Sequence, residues 1–263
     1  MLADKDQAGQ MLPAHIGCEL TLQCKQSGSI YRMSHVQLQK LKSLVENGLS
    51  NSDIAVEASD VRDEVDQLYP VEAALIENAV ASRKREFSTG RYLARKAAKA
   101  LGLPVQELER GAHGEVLWPA PLVGSISHTR EWCVVALANA GTVAGIGVDI
   151  ETDRFRSVDV KSLILHKSEL PAFNRVREAD QICELLRIFS AKEAIYKAIF
   201  PSLERYVDFR EVCIRSDKSG GRFTGHAPEN SELDTLLASG SGCIGHTNGL
   251  FVSTYILRRS VAG

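Results

Sequence analysis

This sequence predicts an α+β fold, on three observations. Two long stretches, residues 71–101 and 177–200, carry helical periodicity. Short strand-like runs bounded by turn residues follow each of them. Helices and strands do not alternate one for one, which argues for antiparallel strands and against a parallel α/β sheet. Each half therefore supplies a long helix and antiparallel strands. We place the boundary so that residues 1–142 form the first lobe and 143–263 the second, with residues 1–50 carrying little pattern.

In chain order, residues 36–45 form a short amphipathic helix with Leu38, Leu41 and Val45 on one side, stopping near Asn47-Gly48. Residues 51–66 are acidic and undistinguished. The helical stretch 71–101, with a break, runs Phe87, Ala94, Ala97 and Leu101 along one stripe. Lys96 and Lys99 fall in its last turn, Gly102 suits the C-cap and Pro104 follows. Its other face is basic. Arg91 and Arg95 are i, i+4 neighbours, Lys84 lies a heptad before Arg91, and Arg83 and Arg85 add to the start. Such a run is usually a solvated face. A phosphate-binding face is the alternative.

Residues 111–119 are a glycine-broken loop. In 122–129, Val123, Ser125 and Ser127 share one strand face and Ile126 takes the other, and the strand ends at Ser127-His128. Residues 132–138 are a clear strand, which Asn139-Ala-Gly141 is expected to turn into the next strand as a hairpin. In that next strand, Val143-Ala-Gly-Ile-Gly-Val-Asp-Ile-Glu151, Ile146, Val148 and Ile150 make an apolar face. Gly145, Gly147, Asp149 and Glu151 make the other. Carboxylates two residues apart on a strand lie about 6.5–7 Å apart and repel unless a cation is near. Oxygen ligands without Cys or His suit Mg²⁺ or Mn²⁺. The glycines leave room for a ligand at the backbone. The plain alternative is a strand leaving the core with both carboxylates solvated.

Residues 163–173 hold one short helix or two. In 177–200, Leu185, Ile188, Phe189, Ile195 and Ile199 keep the 3.6 period and Pro201 closes the helix. Glu193 and Lys197 are i, i+4 there, an ordinary ion pair on the plain reading. Residues 206–214 read as a strand, Gly220-Gly221 as a turn, and 243–256 as a hairpin with Asn248-Gly249 at its tip.

Composition sets limits. The 263 residues are 44% hydrophobic and 24% charged, an ordinary globular balance. A net charge of −2 points to neither nucleic acid nor an anionic membrane, so any anion site is local. Six scattered cysteines without a C-x-x-C pair argue against a zinc site and a disulfide framework. A charged N-terminus and the lack of a long apolar run lead us to expect a cytoplasmic protein.

Four motifs in order carry a resemblance. They are Arg83-x₇-Arg91-x₃-Arg95, Gly124-Ser-Ile-Ser-His128, Gly147-Val-Asp-Ile-Glu151 and Phe189-Ser-Ala-Lys-Glu-Ala-Ile-Tyr-Lys197. Over roughly residues 68–257 the chain resembles the 4′-phosphopantetheinyl transferase superfamily. Glu86-Phe-Ser-Thr-Gly-Arg-Tyr-Leu-Ala-Arg95 and Leu117-Trp-Pro119 favour its branch like enterobactin synthetase component D. The resemblance implies two similar lobes, pseudo-twofold related, with the active site in the cleft between them. It implies transfer of the phosphopantetheine arm of coenzyme A to a serine of an acyl or peptidyl carrier protein, with adenosine 3′,5′-bisphosphate leaving.

By matching positions, Asp149, Glu151 and Glu193 would hold Mg²⁺, with Mn²⁺ as the alternative. Ser127 and His128 would contact the coenzyme's phosphates, His128 the 3′-phosphate. Arg83, Arg91 and Arg95 would be further coenzyme contacts. Lys192 and Lys197 lie in the last motif, and Lys197 would reach the pyrophosphate. Asp149, Glu193 and Lys197 are the catalytic candidates, and Glu193, directly or through a water, would take the serine's proton. Phosphoryl transfer needs charge neutralisation above all, which suits this set.

Two positions depart from the family pattern: Glu115 follows Gly114 where relatives often carry a basic residue, and Phe189 stands where many carry Trp. Two other functions compete, a non-catalytic coenzyme A or nucleotide-binding module and a Mg²⁺-dependent phosphodiesterase using water. The carrier could serve fatty-acid, polyketide, siderophore or other peptide synthesis. Arg154, Arg156, Lys161 and Lys167 make the segment after Glu151 a candidate docking surface, with a solvated linker as the alternative. A monomer is expected, with no nucleic-acid or membrane partner.

Overall fold

A computed structural model describes residues 35–49, 53–152, 157–247 and 249–259. Helix α1 (His35–Leu49) is followed by β1 (Ile54–Asp60), the short α2 (Pro70–Ala74) and the long α3 (Ala81–Ala100). Then come β2 (Glu109–Arg110), β3 (Val116–Leu117), β4 (Leu122–His128), β5 (Trp132–Asn139) and β6 (Val143–Thr152). The second half adds α4 (Lys161–Ile164), α5 (Leu170–Phe173), the long α6 (Glu178–Leu203), β7 (Cys213–Ser216), β8 (Arg222–His226), α7 (Ser231–Ala238), β9 (Gly240–Thr247) and β10 (Leu250–Arg258).

The fold is α+β. One antiparallel sheet has the order β1-β5-β4, and a second the order β6-β10-β9-β8-β7. β5 explains the first sheet. Its alternate residues Cys133, Val135 and Leu137 pack with Phe87, Ala94 and Ala97 of α3. Val134, Ala136 and Ala138 point the other way, into a core shared with Ile146, Val148 and Ile150 of β6 and Val252 and Ile256 of β10. Leu41, Val45 and Leu49 of α1 belong to that same core. Because both faces of β5 are buried, its sequence is a nearly continuous apolar run.

In the second lobe, α6 lies on the opposite face of β6. A Cβ on Gly147 would stand 1.8 Å from the Ala194 carbonyl oxygen, and one on Gly145 2.0 Å from that of Ala198. Glycine on the strand and alanine on the helix thus let two backbones touch. The glycine row makes room for a helix, where the sequence left room for a ligand.

Other expectations change too. β5 and β6 are joined by the turn at Asn139, whose Oδ1 accepts from Gly141 N at 2.8 Å, but they form no hairpin. β5 pairs with β1 and β4, and β6 with β10, because the contact with α6 commits β6 to the second sheet. Residues 53–60, read as undistinguished, contain β1, whose Glu57 is paired with Lys96 of α3 at 3.2 Å. The expected strand at 206–214 begins only at Cys213. Before it, Asp208 accepts from Arg210 N and folds residues 209–211 into a 3-10 turn. Pro201 does not close α6. It sits in the last turn, and the helix runs on to Leu203 and ends with Glu204 left-handed at φ 49°.

Gly102, left-handed at φ 73°, follows the end of α3 as expected. The stretch 163–173 resolves into the end of α4 and all of α5. β9 and β10 pair with Thr247 opposite Leu250, so the loop is two residues long, as expected, with Gly249 at φ 76°. Asn248, Arg154 and Arg156 lie outside the described residues.

Candidate active site

The two sheets meet where β4 runs beside the free edge of β6. The Ser125 hydroxyl accepts from Val148 N at 3.0 Å and donates to Val148 O at 3.4 Å. Two residues on, Ser127 Oγ accepts from Ile150 N at 3.2 Å. Serines at alternate positions of one strand thus satisfy alternate backbone groups of the next, in place of a ladder. That accounts for the Ser-x-Ser spacing.

Ser127 does a second thing. Its hydroxyl donates to Asp149 Oδ1 at 3.0 Å. Lys197 Nζ, from α6, donates to the same Oδ1 at 2.7 Å, to Val148 O at 3.1 Å and to Ser127 Oγ at 3.3 Å. Asp149, Ser127 and Lys197 are all buried, so this polar knot ties β4, β6 and α6 at the junction of the lobes. Lys197 reaches Asp149 within the second lobe and Ser127 across the lobe contact, where the plain sequence reading paired it with Glu193. Buried Glu193 lies one residue before Ala194, and its charge helps burial to push the Tyr196 and Tyr206 phenols up. Glu151 is half-buried at the end of β6.

The first lobe contributes a second group. Arg83 Nη1 lies 3.0 Å from His128 Nε2, and Glu86 Oε2 lies 3.6 Å from His128 Nδ1 and 3.7 Å from Arg83 Nη1. Arg83 is in the first turn of α3, which holds no acidic residue. A helix N-terminus with that composition favours anions.

Three predicted site residues sit elsewhere. The Glu72 carboxylate, fully buried, accepts from Arg95 Nη1 at 2.9 and 3.0 Å, from Tyr69 N at 3.0 Å and from Leu108 N at 3.0 Å. Arg91 Nε is 3.8 Å from it and its guanidinium lies over the Phe87 ring. Burial pulls Arg91 down to about 10, so it stays charged at neutral pH. The basic face of α3 is therefore answered by a carboxylate 19 and 23 residues upstream of Arg91 and Arg95. Lys192 Nζ donates to Glu169 Oε2 at 2.6 Å, Ile164 O at 2.8 Å and Phe209 O at 3.0 Å. All three of its protons have protein acceptors, and it anchors α4, α5 and the 3-10 turn to α6. Burial holds its pKa below the usual lysine value.

Sequence reasoning missed Glu72 and Glu86. Glu86 lies in a quoted motif without a role, and Glu72 shows no local signal. Glu115 turns inward, its carboxylate accepting from His113 N at 2.9 Å, while the His113 ring packs on Phe200 of α6. Lys161 lies over the Phe173 ring and Lys167 is paired with Glu229. A cavity of about 590 Å³ opens beside them, lined by His166, Leu170, Asp208 and Arg210 among others.

Asp149, Glu151 and Glu193 are hard oxygen donors of the kind Mg²⁺ takes. Among the described residues, however, no three acidic, histidine or cysteine side chains converge to hold a metal ion, and Asp149 Oδ1 is given to Lys197. The three carboxylates do not form a metal cage in this arrangement.

Comparison with known proteins gives the family. The family model described as the 4′-phosphopantetheinyl transferase N-terminal domain matches residues 71–138, and that of the 4′-phosphopantetheinyl transferase superfamily matches residues 145–239. 4′-Phosphopantetheinyl transferase PptT of Mycobacterium tuberculosis is 31% identical over 175 residues, 65% of this chain and 75% of PptT. Npt of Nocardia iowensis is 31% identical over 196 residues, 73% of this chain and 84% of Npt. This chain belongs to the 4′-phosphopantetheinyl transferase superfamily. A third transferase, Svp of Streptomyces mobaraensis, is 36% identical over 164 residues, 62% of this chain and 66% of Svp. Among solved structures, a holo-(acyl-carrier-protein) synthase from Bacillus anthracis in complex with CoA (3′,5′-ADP) aligns with a TM-score of 0.35 and 21% identity, over 45% of this chain and 99% of that one. The two transferase models abut near residue 140, where β5 passes to β6.

Proposed function

We propose that this protein transfers the 4′-phosphopantetheine arm of coenzyme A to a serine of an apo acyl or peptidyl carrier protein, releasing adenosine 3′,5′-bisphosphate. The observation that carries the reading is the buried Asp149–Lys197–Ser127 knot where the lobes meet, in a chain of this family. The Arg83–His128 pair supports it as the place for a coenzyme phosphate. An ammonium and a guanidinium fixed by protein partners neutralise charge on a phosphoryl group without reorganising during the reaction. Lys197 is the group we assign to the pyrophosphate, and Arg83 with His128 to the 3′-phosphate. Glu193, directly or through a water, is our candidate for taking the carrier serine's proton.

Mg²⁺ or Mn²⁺ at Asp149, Glu151 and Glu193 is part of the proposal. Bound there, it would add positive charge beside the pyrophosphate. Asp149 Oδ1 is engaged by Lys197 and Ser127, so Oδ2 would be the oxygen that Asp149 offers to it. We further propose a monomeric, cytoplasmic enzyme. Among the described residues no helix is long and apolar enough to cross a membrane, and no disulfide joins the described cysteines.

Release of adenosine 3′,5′-bisphosphate tests the reading. It is measured by chromatography with no carrier, with an apo carrier, and with a carrier whose acceptor serine is alanine. Release only with the intact apo carrier is expected. Equal release in its absence would make the protein a phosphodiesterase. A Glu193→Gln variant with full turnover would remove the proposed base.

A further inference from the structure

Glu86 belongs to none of the roles above, yet its carboxylate sits against both groups assigned to the 3′-phosphate. It lies one helical turn after Arg83 on α3 and faces His128 at the end of β4. Side-chain exposures are 15% for Glu86, 11% for Arg83 and 5% for His128, so the three groups interact largely out of water. A guanidinium can only donate. With Arg83 Nη1 3.0 Å from His128 Nε2, that ring nitrogen must accept, and the ring proton must be on Nδ1. Nδ1 is the nitrogen that faces Glu86 Oε2 at 3.6 Å. The same carboxylate oxygen balances the Arg83 charge.

We infer that Glu86 is a positioning residue: it holds the His128 imidazole as the Nδ1–H tautomer and keeps Arg83 aimed at the ring's Nε2. This rests on the reading in which Arg83 and His128 receive the coenzyme's phosphate. Its consequence is specific to the coenzyme. Glu86 carries a negative charge beside an anion site, so it does not attract the phosphate itself. It sets the orientation of Arg83, which carries the positive charge, and of the His128 ring to which Arg83 donates. Removing it frees the ring to change tautomer and Arg83 to swing toward solvent. The cost falls on coenzyme capture, while the Asp149 knot is untouched.

The experiment uses the full chain labelled with ¹⁵N-histidine, and long-range ¹H–¹⁵N correlation spectra of the His128 ring. The wild-type protein is expected to show the Nδ1–H tautomer, and an Nε2–H tautomer there would overturn the inference without any variant. Glu86→Ala is expected to give a mixture of tautomers. It should also raise KM for coenzyme A about tenfold, with kcat at saturating coenzyme within about threefold of wild type. Glu86→Gln keeps a neutral acceptor for Nδ1–H and should recover the tautomer and part of the KM. An unchanged tautomer in Glu86→Ala, or a fall in kcat with KM unchanged, would overturn the inference. Arg83→Met and His128→Gln separate the two layers. If both leave KM for coenzyme A unchanged, the phosphate assignment itself fails. If both raise it and Glu86→Ala does not, only the role of Glu86 fails.

Discussion

Glu72 and Asp149 are both fully buried carboxylates held by cations, and they do different work. Glu72 draws all its described partners from the first lobe: the backbone of Tyr69 and Leu108 and the guanidiniums of Arg91 and Arg95. It closes a structural loop inside one unit. Asp149 draws a hydroxyl from β4 and an ammonium from α6, so its partners come from both lobes. Buried charge pairs are a weak guide to stability, because desolvation offsets most of the attraction. What distinguishes these two is where their partners are anchored. A carboxylate tied into one lobe reads as scaffold, and one shared between lobes reads as a site.

Four changes would break or sharpen that contrast. The largest expected effect is on stability. Glu72→Ala leaves buried Arg91 without its counter-charge and should cost about 3–5 kcal/mol in urea unfolding, with turnover per folded molecule little changed. Lys197→Met should lower turnover at least about a hundredfold, measured as holo-carrier formed per minute at saturating coenzyme. Comparable turnover in the two variants would erase the distinction. Gly147→Ala drives a Cβ into the Ala194 carbonyl and should cost up to about 3 kcal/mol by the same unfolding measurement. A neutral result would mean that α6 does not rest on β6 as closely as described. Ser125→Ala removes the hydroxyl bridging Val148 N and O without touching Asp149, and should cost about 1 kcal/mol with turnover kept. A large loss of activity there would extend the site further along β4.

Much of the scaffold is legible in the residues. α6 follows from its 3.6-residue stripe, β5 from an apolar run, and the β9–β10 turn from Asn248-Gly249. The two-faced pattern of β6 is also right, but its glycine face has another cause. A glycine row shows that something approaches the backbone, and only the packed structure shows that it is the carbonyls of α6. β1 escapes notice because Glu57 and Asp60 interrupt its apolar alternation, and Glu57 is tolerated through a cation on α3.

The site divides in the same way. Asp149, Ser127, His128, Arg83 and Lys197 stand out by type and order, since each lies in a motif near a strand end or on a long helix. Their partners do not. That Arg95 is held by Glu72, and that Lys192 and Lys197, five residues apart on one helix, serve α5 and β6 respectively, depends on contacts between distant segments. Local periodicity gives the face of a helix a residue is on, and folding decides what meets it.

The most direct test of the Asp149-centred site is the intact mass of an apo carrier protein after incubation with coenzyme A, Mg²⁺ and either this protein or its Asp149→Ala variant. The account predicts a mass gain of one phosphopantetheine arm with the wild-type chain, and formation at least about a hundredfold slower with the folded variant. An equal rate from a folded Asp149→Ala protein would contradict it.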